Sequence, residues 1–220
     1  MDHIEDMLRA AAAELGITLY DTEITKFNSY YRELMFWNRK MSLVAVKTPS
    51  DVPVKHFADS LTVIPYLPKG NTNLLDIGSG AGFPGIPLKI VQPPLMVTLV
   101  DSSRKKCSFL RHVILTLALE TISVVHTRIE HLPQERPYTF DTVISRASFK
   151  LSRLIEHAAP LLAPGGILIA MKGAHIDDEL NEAKHVLSGT AMHPAGCHHI
   201  RLPLIGDERH IVLFRKSGDE

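Results

Sequence analysis

Apolar residues in the first third of the chain recur at helical spacing. Ile24, Phe27, Tyr31, Leu34 and Trp37 follow one another in steps of three or four, the stripe of a helix with one buried face. Asp21 or Thr22 is placed to cap its start. The preceding segment, MDHIEDMLRAAAAELG, reads as an amphipathic helix. A third helix is expected from about Ser50 to Tyr66, stopped by Pro68 and Gly70.

From residue 73 the pattern changes. Short apolar, β-rich runs (NLLDI, MVTLVD, ISVVH, FDTVIS, GGILIAMK) alternate with helix-length segments (GIPLKIV, SRKKCSFLRHVILTLAL, a short stretch near Glu130, LSRLIEHAAPLL). Continuous apolar runs suit strands buried on both faces. Strands alternating with helices predict a parallel sheet with right-handed crossovers. The end differs: after a helix near Asp177–Leu187, CHHIRLPL and RHIVLFRK are joined by IGDE, which predicts a β-hairpin and one antiparallel strand. The expected organisation is a helical extension over residues 1–70 packed on an α/β domain over residues 71–220, together one domain.

Composition narrows this modestly. The 220 residues are 45% hydrophobic and 22% charged, with no run long enough to span a membrane. The N-terminus is acidic where a signal peptide is basic, so a cytoplasmic location is expected. Cys107 and Cys197 are too few for a disulfide framework and are expected to be small buried residues. Net charge is zero, but unevenly spread: residues 1–36 hold three Lys/Arg against seven Asp/Glu, and residues 101–153 hold nine against five. A basic middle suits a local phosphate-binding face.

The candidate chemistry centres on DIGSGAGFPG, Asp76 to Gly85, between the first strand and the next helix. In a doubly wound sheet, ligands bind at the carboxyl ends of the strands, and a glycine loop lets backbone approach them. Gly80, Gly82 and Gly85 match the dinucleotide spacing, so NAD stays open. Three features tilt toward S-adenosylmethionine. Asp76, at the root of the loop, suits the ammonium and sulfonium better than a pyrophosphate. Asp101 ends the second strand, where an acid accepts from ribose hydroxyls in either cofactor. The terminal hairpin suits the seven-stranded methyltransferase variant of the fold.

LLDIGSGAGFPGIPLKI followed by VTLVDSSRKKCSFL resembles the ribosomal small-subunit methyltransferase G family, also called glucose-inhibited division protein B. WNRKMSLVAV and HFADSL upstream, and RIE, ISRA, PLLAPGG and MKG downstream, extend the likeness from about Trp37 to Gly173. Ser42-Leu43-Val44-Ala45 departs from the family's usual upstream motif, and Ile129 stands where relatives often have Ala or Val. The resemblance implies a class I methyltransferase fold, Rossmann-like, with a seven-stranded mostly parallel sheet. It implies S-adenosylmethionine as methyl donor and methylation of guanine N7 in the 530 loop of 16S rRNA, at position 527 in standard rRNA numbering. By position it makes Gly78, with Gly80 beside it, and Phe83 loop contacts to the cofactor. Ile129 and Glu130 become the pair near the adenine, and Arg146 the site arginine after the fourth strand.

The residues agree with that chemistry. Guanine N7 has a lone pair and no proton to lose, so transfer needs alignment more than a base. No Pro-Cys pair marks a cysteine nucleophile, and Ser145-Arg146-Ala147 stands where an amine methyltransferase carries Asp/Asn-Pro-Pro-aromatic. Arg146 is a candidate for guanine O6, an RNA phosphate or the cofactor carboxylate. Lys172, at the fifth strand tip, is expected to meet a phosphate or base acceptor. Trp37 with Asn38, and His56 with Asp59, are candidates for a lid that meets the substrate, although the stripe favours core packing for Trp37. Arg39, Lys40, Lys47 and Lys55, with Arg104, Lys105 and Lys106, are candidates to follow an RNA backbone. His193, His198 and His199 lack ordered ligand spacing, so no metal is expected. The expected partner is 16S rRNA within the small subunit or an assembly intermediate, bound by a monomer away from any membrane. Competing readings are a small-molecule methyltransferase, an NAD-dependent oxidoreductase and a catalytically idle RNA-binding module.

Overall fold

A computed structural model describes residues 2–48, 51–70, 72–132, 140–146 and 148–218. Two helices open the chain, α1 (Asp2–Glu14) and α2 (Asp21–Met41). A π-helix (Asp51–Ala58) runs into the short α3 (Asp59–Leu61) and a 3-10 turn (Ile64–Tyr66). The alternating part follows as β1 (Asn73–Ile77), α4 (Gly85–Val91), β2 (Met96–Asp101), α5 (Arg104–Thr116), β3 (Ile122–His126), a 3-10 turn (Ile129–His131) and β4 (Phe140–Arg146). Then come α6 (Leu151–Ala158), β5 (Leu162–Lys172), α7 (Asp177–Leu187), β6 (Met192–Arg201) and β7 (Glu208–Lys216).

The seven strands lie in the order β3-β2-β1-β4-β5-β7-β6. β7 runs antiparallel to both of its neighbours, and the other pairs are parallel. Strand order reverses between β1 and β4, which opens a crevice at their carboxyl ends. Apolar clusters cover both faces. One joins α1, α2, the π-helix, α4 and α5 to the sheet, so the helical extension shares a core with it. The other packs α6 and α7 on the opposite face. Burying Phe27, Tyr30 and Phe57 completely stabilises this union by roughly 1.5–3 kcal/mol per side chain.

Several elements differ from the sequence reading. β4 runs one residue past FDTVIS to Arg146, which stands at the strand tip as expected. β6 begins at Met192 rather than Cys197, because an irregularity at Pro194/Gly196 lets the pairing with β7 extend further. Cys107 is buried as expected, but Cys197 is exposed on the edge strand. Neither Asp21 nor Thr22 caps α2: the helix already begins at Asp21, and the Glu23 carboxylate reaches back to accept from the Tyr20 N–H (2.8 Å). The buried stripe of α2 is Ile24, Phe27, Tyr30 and Leu34, so Tyr30 takes the place expected for Tyr31. The third helix is mostly π-helical, a form that recurs at functional sites; its expected start at Ser50 lies outside the described residues. Among the described residues, no helix is long and apolar enough to cross a membrane.

Candidate functional site

A cavity of about 570 Å³ opens where β1, β2 and β4 end, within the range of small-molecule and cofactor sites. Gly78, Gly80, Asp101, Ile129 and Glu130 line it on the side of β1 to β3; Leu43, Val44, Phe83, Arg146, Ser148 and Phe149 line it toward β4 and the helical extension.

Backbone builds the first side. The N–H groups of Gly78 and Ser79 both donate to the Val100 carbonyl (2.9 and 3.0 Å), which ties the loop to β2. Gly78 has φ +70, and a Cβ there would lie 2.3 Å from Ser148 Oγ, so both conformation and space require glycine. Asp101 stitches the loop from the side: Oδ2 accepts from Gly80 N–H (2.9 Å) and Oδ1 from Ser103 N–H (2.8 Å). A carboxylate has about four lone-pair sites, so Asp101 keeps acceptor capacity toward the cavity it lines. Ile129 is buried beneath the cavity wall. Glu130 stands on the same 3-10 turn, with Arg153 at 3.7 Å and His157 at 3.8 Å. Its own backbone N–H is the main cause that lowers its pKa, with the neighbouring His157 and Arg153 assisting.

Asp76 does not face the cavity, which corrects the charge argument made for it. It is fully buried under the loop, where Oδ2 accepts from Gly85 N–H (2.9 Å). A Cβ at Gly85 would lie 2.8 Å from that oxygen and 2.4 Å from Leu99 Cδ2. Burial pushes the Asp76 pKa up to about 7. Asp76 holds the loop from beneath; the acid presented to a ligand is Asp101.

Side chains build the other side, and Arg146 is their centre. Its Nη1 donates to the Lys55 carbonyl (3.1 Å) and to Asp59 Oδ2 (3.2 Å), and its Nη2 donates to His56 Nδ1 (3.2 Å). The guanidinium lies 4.9 Å from the centroid of the Phe83 ring, a cation–π contact. Phe83 stacks on His56 at 5.0 Å and on Tyr30 at 5.6 Å. Tyr30 in turn donates its hydroxyl to the Ala81 carbonyl. Burial, then the Arg146 charge, push the His56 pKa down to about 4. His56 is therefore a neutral ring that orients Arg146, with its acceptor nitrogen already committed.

Two expected substrate residues play other parts. Asn38 does not meet the cavity; its amide pairs twice with the Val44 backbone, at 3.0 Å in each direction. It holds the Leu43–Val44 strap in place and acts on the cavity through that strap. Lys172 is a clearer correction. Its ammonium is buried against Glu179 Oε2 (2.6 Å) and the Phe149 carbonyl. That ion pair neutralises it inside the protein, and it is not among the lining residues. Trp37 packs against Phe109 and His112, as its stripe position implied.

The sequence reading missed Leu43, Val44, Ser148 and Phe149. Ser148 donates to both the Gly78 and Arg146 carbonyls (3.1 Å each), so it joins the two sides. Its signal was its place directly after ISRA at the end of β4. Of the expected basic rim, Arg39, Lys40, Lys47, Arg104 and Lys105 are exposed. Lys106 lines the cavity, 3.9 Å from Asp101 Oδ2. Among the described residues, no three His, Cys, Asp or Glu side chains gather so as to hold a metal ion.

The family model described as rRNA small subunit methyltransferase G matches residues 23–212. The ribosomal RNA small subunit methyltransferase G of Syntrophus aciditrophicus is 42% identical over 96% of this chain and 89% of its own. That of Geotalea uraniireducens is 41% identical over 97% of both chains. Among solved structures, a methyltransferase from Pyrococcus furiosus is similar with TM-score 0.62 and 15% identity, over 86% of this chain and 97% of that one. An O-methyltransferase from Bacillus cereus, solved in complex with SAH, is similar with TM-score 0.62 and 18% identity, over 86% of this chain and 91% of that one. The fold is that of the class I S-adenosylmethionine-dependent methyltransferases, and S-adenosylmethionine is the methyl donor. The cavity fits it: the missing Cβ of Gly78 lets the loop close against Ser148 on the opposite wall, and Asp101 stands at the β2 tip with acceptor capacity toward the cavity.

Proposed function

The chain belongs to the ribosomal RNA small subunit methyltransferase G family, and from that premise we propose that it methylates N7 of a guanine in the 530 loop of 16S rRNA, at position 527 in standard rRNA numbering. The observation that carries the choice of atom is the character of the β4 side of the cavity. Among the described residues lining it, the one ionisable side chain is Arg146, a permanent cation and a donor. Among those described residues no side-chain base is presented there, which suits a nucleophile that carries a lone pair and has no proton to lose. An exocyclic amine or a ribose hydroxyl must shed a proton during transfer and is served less well.

Each residue then has a part in the reading. S-adenosylmethionine, when bound, would supply a methyl group on a sulfonium for the N7 lone pair, with the C–S electron pair kept by sulfur. Gly78 and Gly80 let the loop backbone lie against the cofactor, and Asp101 accepts from its ribose. Ile129 and Glu130 flank its base. Arg146 donates to the guanine, with O6 beside N7 as the fitting acceptor. Leu43, Val44 and Phe149 bound the slot that a flipped-out base would enter. Exposed Arg39, Lys40, Lys47, Arg104 and Lys105 receive the RNA backbone, and a target in a single-stranded loop suits a site that must take one base. A substrate in 16S rRNA suits a protein that acts in the cytoplasm, where ribosomes are.

The test is mass mapping of 16S rRNA from cells lacking the protein. The reading predicts loss of 7-methylguanine from the 530 loop and its return on complementation. Persistence of the mark would sink the assignment.

A further inference from the structure

Asp59, at the start of α3, is buried between two arginines from different strands. Its Oδ2 lies 3.2 Å from Arg146 Nη1, and its Oδ1 lies 3.6 Å from Arg209 Nε. Arg146 ends β4 and Arg209 is in β7, with β5 between them. The carboxylate therefore bridges the sheet across the tip of β5. Apart from the Arg209 contact, Asp59 Oδ1 has no hydrogen-bond partner. We propose that Arg209 is a positioning residue for methyl transfer: it keeps Asp59 ionised, and ionised Asp59 holds Arg146 in its working pose. This rests on the methyltransferase reading of the cavity.

The physics follows from burial. A desolvated carboxylate is costly unless counter-charge compensates. Burial raises the Asp59 pKa, and Arg146 and then Arg209 oppose that rise. Removing Arg209 withdraws half of the flanking positive charge and leaves Oδ1 orphaned, so Asp59 takes up a proton more readily. A neutral carboxyl no longer fixes the guanidinium, which keeps only the Lys55 carbonyl, His56 and the Phe83 face. The other charged or titratable groups around the bridge are His56 on Arg146, Asp207 at 3.7 Å from Arg209, and the buried Asp76 and Tyr30 facing Arg146. Asp207 makes a weaker claim on Arg209, because it is more exposed than Asp59.

The sign is definite. Transfer requires the ionised form, so activity is lost as pH falls through the Asp59 pKa, and losing Arg209 moves that acid limb upward. A close opposite charge shifts a carboxyl by about 1–3 pKa units. On the acid limb, each unit by which the pKa rises lowers the ionised fraction by up to about tenfold.

The experiment uses the full chain with small ribosomal subunits that lack the mark, and follows single-turnover methyl transfer against pH. Arg209→Gln is expected to move the acid limb up by about one unit, and so to slow transfer by up to about tenfold at pH values on that limb while leaving the plateau above it nearly unchanged. Its dissociation constant for S-adenosylhomocysteine is expected to stay within about twofold. Arg209→Lys, which restores the charge, is expected to bring the limb back. Asp59→Asn is expected to be slow with that limb flattened. An Arg209→Gln enzyme with the wild-type acid limb would overturn the proposal. So would a loss of rate matched by a loss of cofactor affinity with no shift of the limb. The methylated nucleotide is mapped in the same samples, so a wrong target atom would count against the substrate reading while the acid limbs still decide the role of Arg209.

Discussion

At the glycine-loop side of the cavity, what is held in place is main chain; at the β4 side, it is a side chain. The loop is fastened by its own N–H groups, which donate to the Val100 carbonyl and to the Asp101 and Asp76 carboxylates, all within one strand–loop–helix unit and its neighbour. Arg146 is fastened by groups that are 90, 87 and 63 residues away in sequence, at His56, Asp59 and Arg209 through Asp59. One side is a local device, built within a single strand–loop–helix unit and the strand beside it. The other belongs to this arrangement of helical extension and hairpin. The difference predicts that cofactor binding and acceptor placement are separable, and mutations should divide them.

The strongest expected break is Gly78→Ala. Its Cβ would lie 2.3 Å from Ser148 Oγ at a positive φ. Strain and displacement of Ser148 should weaken S-adenosylhomocysteine binding by at least about 10–100-fold, read by calorimetry. Because Ser148 joins the two sides, transfer should fail as well. Asp101→Ala should sharpen the division: it unties Gly80 and Ser103 and should weaken cofactor binding about tenfold or more. An unchanged dissociation constant would count against its ribose contact. Asn38→Ala should do the reverse. It frees the Val44 strap, so transfer should slow by about 3–10-fold with cofactor affinity nearly unchanged; a matching loss of affinity would erase the distinction.

The smallest effect is one of stability against pH. The unfolded chain protonates His56 near 6.5, and the folded chain only near 4. Below pH 6.5 the unfolded state therefore binds the extra proton, and stability falls as pH drops through that window. At pH 5 the loss is about 2 kcal/mol. His56→Gln should remove that slope, so its melting temperature should differ between pH 7 and pH 5 by a few degrees less than that of the wild type.

The same division explains what could be read in advance. NLLDI, MVTLVD and ISVVH are strands with the expected bounds, and the Gly78 loop, Asp101, Ile129 and Glu130 line one cavity. Those features follow from local periodicity and from a motif carried on adjacent residues. The Asp76 and Lys172 expectations failed for a common reason. Residue type and strand-end position do not say whether a charge points into a crevice or is neutralised beneath it. Lys172 meets Glu179 only because α7 packs on the sheet. Tyr30 was missed because Tyr31, its neighbour, fits the helical stripe equally well on paper. The Arg146 clamp could not be read at all, since its partners come together only when the helical extension closes on β4.

The claim that the two sides are separable is tested most directly by Arg146→Ala, measured in one preparation for cofactor affinity and for single-turnover methyl transfer. The account predicts that transfer falls by about 100-fold or more, while the dissociation constant for S-adenosylhomocysteine stays within about threefold. Retained transfer, or an affinity loss as large as the rate loss, would contradict it.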